Sequence, residues 1–222
     1  MSESARSHAS VGSLAGDAVG VVVDGQTYKN LLYLTLAFPL GVLYFTLLVT
    51  GLSLGVGLLV VGVGALVLLA TVGVVRYVAA FERRLANGLL GTDIRGYADI
   101  QSNDDGLVAT AMAYFRASST WRAVGFIMAK FLLGSLSLVA LLTTLGVAVD
   151  LALTPVFPEA LGTQVNGWEV AGGLETTPEQ AAGGAAGVVL GFVSLHVLNG
   201  LARVNAAAAA ALLAPDESET SG

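Results

Sequence analysis

Apolar residues run through this chain in long blocks, not at alternating or isolated positions. Leu31–Thr50, Val56–Val75, Val124–Val149 and Ala185–Leu201 carry almost no charge. Each is close to the ~20 residues that an α-helix needs to cross ~30 Å of hydrocarbon. The pattern predicts an all-α polytopic membrane protein with four transmembrane helices. Pro39 predicts a bend in the first span, and Gly51-Leu-Ser-Leu-Gly55 predicts a tight turn before the second. Beyond the second span, Val78, Phe81, Leu85 and Leu89 recur at helical spacing, with Glu82, Arg83, Arg84 and Asn87 on the other sides. That spacing predicts an amphipathic helix continuing along the inner membrane surface. A second amphipathic segment, Leu107 to Trp121, follows the capping-type run Ser102-Asn-Asp-Asp105, and its Met112, Phe115 and Trp121 suit an interface.

Composition narrows the class. Of 222 residues 55% are hydrophobic and 12% charged, about half the charged share of a soluble domain, which excludes a water-soluble enzyme. A net charge of −6 excludes a nucleic-acid partner, which calls for a basic patch. With no cysteine and only His8 and His196, neither disulfide, iron–sulfur nor zinc chemistry is expected, and no metal or cofactor. Residues 1–27 read as a polar tail, since Val19 to Val23 is too short for a signal-peptide core, and 215–222 as an acidic tail.

The distribution of Arg and Lys sets the orientation. Arg76, Arg83, Arg84, Arg95, Arg116 and Arg122 lie between the second and third spans, whereas the connection 150–183 carries only acidic charges. Positive residues stay cytoplasmic. The expectation is a plasma-membrane protein with a cytoplasmic connection 76–123, an external loop 150–183 and both termini inside.

The chain also repeats itself. Tyr28-Lys-Asn-Leu-Leu-Tyr-Leu-Thr-Leu-Ala-Phe-Pro-Leu-Gly41 aligns with Trp121-Arg-Ala-Val-Gly-Phe-Ile-Met-Ala-Lys-Phe-Leu-Leu-Gly134, and Phe81–Leu90 resembles Val204–Leu213. Two parallel two-span repeats, each starting inside, are expected. Phe38-Pro-Leu-Gly41, Tyr44-Phe45, Val49-Thr50, Phe81-Glu-Arg-Arg84 and Leu89-Leu-Gly91 carry a family resemblance. It continues through Trp121-Arg122, Lys130-Phe-Leu-Leu-Gly134, Trp168-Glu-Val170 and His196-Val-Leu-Asn-Gly-Leu-Ala-Arg203. Over residues 28–214 the chain resembles the putative sensor domain family, a four-span membrane module often found ahead of histidine kinases. The resemblance implies a non-catalytic sensory or regulatory domain. Leu132 replaces Pro39 in the second repeat, so the third span is expected to lack the bend.

No catalytic constellation is present, and Gly55-Val-Gly57 and Gly62-Val-Gly64 do not complete a nucleotide loop. Gly183, Gly187 and Gly191 share one face of the fourth span, as in close helix packing within the bundle or between copies. Lys130 either snorkels to the inner headgroups or marks a ligand site. His196, Asn199 and Arg203 share a face, for interhelical hydrogen bonds or for sensing protons or anions. The absence of an intramembrane acid weighs against a proton relay. In the outer loop, Asn166-Gly167 predicts a hairpin turn that sets Trp168 and Glu169 at the mouth of the bundle, as a cap or a sensing surface. Phe81, Arg83, Arg84 and Phe115 are candidates for docking a partner. Only a short tail follows the fourth span, so output is expected through a separate kinase, transcription regulator or transporter component; membrane lipid and a second copy of the chain are the other expected partners. A small transporter, or a structural subunit of a membrane complex, is the alternative.

Overall fold

In the computed structural model, residues 20–96, 116–157, 164–165, 167–169, 174 and 176–215 are described. Asp24 opens the first helix, α1 (Gly25–Gly57), its carboxylate accepting the Gln26 amide at 2.9 Å. An acceptor at this position satisfies a backbone donor that has no partner inside the helix. The chain then tightens into a 3-10 turn, Leu58–Val61, and reverses at Gly62, where φ is 79°. Helix α2 follows (Gly64–Leu89). Next come α3 (Ser118–Ala140), a five-residue π segment (Leu141–Leu145) and α4 (Gly146–Leu153), which continue one another. Strands β1 (Gln164–Val165) and β2 (Trp168–Glu169) pair antiparallel, Val165 opposite Trp168, with Gly167 at φ 81°. Helix α5 (Thr177–Leu213) is opened by Glu179, whose carboxylate accepts the Thr176 amide at 3.0 Å.

Among the described residues, four helical stretches are long and apolar enough to cross a membrane: Gly25–Val61, Gly64–Leu89, Ser118–Leu153 and Thr177–Leu213. All four predicted spans are therefore present, but their ends differ. The expected turn at Gly51–Gly55 is helix instead, and the reversal comes at Gly62. The apolar run continues to Val61, so nothing stops the helix earlier. Gly51 and Gly55 serve as notches, because a Cβ on either would collide with the Thr71 or Leu68 side chain of α2. Asp150, expected in the external loop, lies in α4 and is buried.

The chain divides into two compact units, Met1–Leu31 with Ser137–Leu201, and Leu32–Leu136 with Ala202–Gly222. In the first, Asn199 of α5 holds the start of α1: it donates to Thr27 Oγ1 at 3.0 Å and accepts from Asn30 at 2.8 Å. Ser194 donates to the Thr144 carbonyl, within the π segment, at 3.1 Å. In the second unit the core is built from Tyr44, Val75, Val78, Ala79, Phe126 and Ile127 among others. Asn87 folds the loop after α2 back, bonding both backbone groups of Ile94 and burying it.

Candidate functional site: a buried ion pair

The second unit places α1 against α3 at a crossing made possible by two glycines. A Cβ on Gly41 would lie 2.9 Å from the Lys130 carbonyl oxygen and 3.0 Å from Phe131 Cα. One on Gly134 would lie 2.5 Å from the Ala37 carbonyl oxygen and 3.0 Å from Phe38 Cα. Without side chains the backbones reach this distance, which is the use of small residues in membrane helices. Phe45 and Phe131 stack beside the crossing, centroids 4.7 Å apart.

Lys130 lies at that crossing and is 1% exposed. Its Nζ donates to Glu82 Oε2 at 3.1 Å, and Glu82 is fully buried. Tyr33 donates its hydroxyl to the same oxygen at 3.3 Å, and Tyr44 donates to Oε1 at 3.1 Å. The Tyr33 ring also covers the ammonium, its centroid 3.9 Å from Nζ. Three donors thus converge on one carboxylate, with a cation–π contact closing the far side. That donor set satisfies both oxygens of the Glu82 side chain.

Two sequence expectations are corrected here. Lys130 does not snorkel: its side chain is buried, with Nζ 3.1 Å from the Glu82 carboxylate. Glu82 is not on the polar side of an amphipathic helix: it is a buried acid within a membrane-capable helix, which the sequence reading did not place. The inward face of α2 runs through Val75, Val78, Ala79, Glu82 and Ala86, all buried, while Phe81 is 42% exposed. In a membrane the apolar stripe can face lipid, so helical periodicity alone assigns the faces wrongly. Charge complementarity was the available signal: Lys130 is alone in its apolar block, and Glu82 falls in register with a small-residue face.

A protein-family model described as "Putative sensor" matches residues 33–213. The chain belongs to the Putative sensor family. No curated protein and no solved structure matches it. The matched region starts at Tyr33 and contains Tyr44, Glu82 and Lys130, so the whole buried cluster belongs to the sensor-like module. As a family member with four membrane-capable helices among its described residues, the chain is a sensor-like module of multi-pass membrane type.

The other candidate residues are scattered. His196 is exposed, its Nδ1 2.9 Å from the Phe192 carbonyl, whereas Asn199 turns to α1. Trp168 and Glu169 sit in the two-residue strand β2. Arg84 is exposed and Arg83 half-buried; Phe115 lies outside the described residues. A Cβ on Gly187 would collide with the Leu151–Ala152 backbone, and one on Gly183 with the Leu174 side chain. Gly191 meets nothing within 4 Å, while Gly184 meets Pro155. Among the described residues, no group of three or more His, Asp or Glu could hold a metal ion.

Proposed function

We propose that this chain is a non-catalytic sensory module of the plasma membrane that signals through a separate protein. In this reading both termini and the connection from the end of α2 to the start of α3 are cytoplasmic, and the partner docks at the inner end of α2 beside Phe81 and Arg84. The observation that carries it is the buried Glu82–Lys130 pair inside membrane-capable helices. Charges within a bilayer are expensive and by default mark function. In a low dielectric, lengthening a 3.1 Å ion pair is steeply unfavourable. A stimulus that slides α3 against α2 therefore has to break the cluster or leave it whole, which makes two discrete states. Helix α2 carries the change toward its C-terminal end, where Arg84 and Phe81 are exposed.

A photo-crosslinking residue at position 84 in native membranes tests this. The expected result is a discrete protein adduct at position 84 that is missing when the crosslinker replaces Val189, an exposed residue of α5. Adducts of equal pattern at both positions would remove the partner reading. One observation favours a second reading, a small transporter: Glu82 supplies an intramembrane carboxylate beside a lysine, the groups a proton-coupled path uses. Purified protein in liposomes that acidifies or alkalinises its lumen under a proton gradient, above empty vesicles, would put transport first.

A further inference from the structure

We propose that the Glu82–Lys130–Tyr33 cluster is a functional addition to a duplicated fold that does not need it, present in one copy of the repeat and replaced by neutral residues in the other. The duplication rests on two shifts. Laying Tyr28 on Trp121 moves α1 by 93 positions, and laying Phe81 on Val204 moves α2 by 123. Those two numbers carry hydrogen bonds and close contacts of one hairpin onto those of the other. Thr71 Oγ1 donates to the Val67 carbonyl at 2.8 Å, and Ser194 Oγ donates to the Leu190 carbonyl at 2.7 Å. Arg76 donates to Thr120 Oγ1 at 3.5 Å, and Asn199 donates to Thr27 Oγ1 at 3.0 Å. A Cβ on Gly64 would strike the Leu58–Leu59 backbone, and one on Gly187 the Leu151–Ala152 backbone. At the crossing, Gly41 meets Lys130 and Phe131 while Gly134 meets Ala37 and Phe38, each the other's equivalent. Chance similarity between apolar helices does not reproduce donors, acceptors and steric notches in register.

The same shifts turn the second copy into an internal control. Glu82 corresponds to Asn205, Lys130 to Ala37 and Tyr33 to Phe126. All six are buried, between 0% and 2% exposed. One backbone therefore packs the position with a charge pair in one copy and without charge in the other. A buried ion pair is in general no better for stability than well-packed neutral residues, whereas half of one is strongly unfavourable. The pair is thus kept for what it does, and its loss as a set leaves the fold intact.

The test uses the full chain in lipid nanodiscs. Lys130→Ala alone and Glu82→Asn alone should each melt roughly 6 °C or more below the unmodified protein. The triple variant Tyr33→Phe, Glu82→Asn, Lys130→Ala, which copies Phe126, Asn205 and Ala37, should recover most of that loss. Conversely, Ala37→Lys with Asn205→Glu should melt above Ala37→Lys alone, because the second copy then receives both charges. The third arm measures the adduct at position 84, whose yield should change at least severalfold in the folded triple variant. A triple variant no more stable than the singles shows the pair to be structural and overturns the proposal. So does an Ala37/Asn205 pair without mutual rescue, which removes the equivalence of the copies. An unchanged adduct in a folded triple variant overturns the functional assignment. Should even the unmodified protein form no adduct, the partner reading above fails and takes the functional assignment with it, and the melting series still decides the duplication.

Discussion

Glu82 gathers three donors on its two carboxylate oxygens: Lys130, Tyr33 and Tyr44. Each of these donors stands on a helix other than α2, so losing one affects helix packing as well as a hydrogen bond. Hydrogen bonds to a charged group contribute about 1.5–3 kcal/mol. Tyr44→Phe should lower stability by an amount in that range, read from denaturation in mild detergent. Tyr33→Phe should cost less, because its bond is longer, at 3.3 Å, and the ring face keeps its contact with the ammonium. Removing a charge altogether is worse. Lys130→Met leaves the carboxylate unpaired in an apolar interior, a loss of roughly 3–5 kcal/mol. Equal melting of Lys130→Met and the unmodified protein would show that the unpaired carboxylate carries no penalty.

Helices meet here where side chains are missing. The small-residue face of α5 was legible in the sequence, but its periodicity did not show which glycine makes contact. Gly187 lies on the Leu151–Ala152 backbone and Gly191 on nothing within 4 Å, although both occupy the same spacing. Gly187→Ala should therefore be overpacked and destabilised by roughly 1–3 kcal/mol. Gly191→Ala should be neutral, or stabilising by up to about 1 kcal/mol through helix propensity. A melting comparison of the two variants checks the contact directly. Similar logic explains the misplaced turn between α1 and α2. Gly51 and Gly55 look like turn residues in one dimension, yet they face Thr71 and Leu68 as steric notches, and the turn falls where Gly62 adopts a positive φ.

At the level of the whole molecule, the proposed orientation rests on the arginines between the second and third spans and on the acidic connection 150–183. The absence of cysteine makes it testable with single labels. Asp93→Cys and Thr176→Cys both replace exposed residues. A membrane-impermeant maleimide on intact cells should modify position 176 and leave position 93 unlabelled until the membrane is opened; the reverse pattern inverts the topology. The number of spans, the all-α class and the family were legible in the sequence, because hydrocarbon forces every backbone group into helix and so writes length and apolarity into the chain. The pairing of Glu82 with Lys130 was decided only by the tertiary structure. The two residues stand 48 positions apart on different helices. Local periodicity ranks faces by polarity, and in lipid polarity no longer separates inside from outside. Only the approach of α1, α2 and α3 at the Gly41–Gly134 crossing turns an apparently exposed acid and a solitary lysine into one neutral, fully bonded cluster.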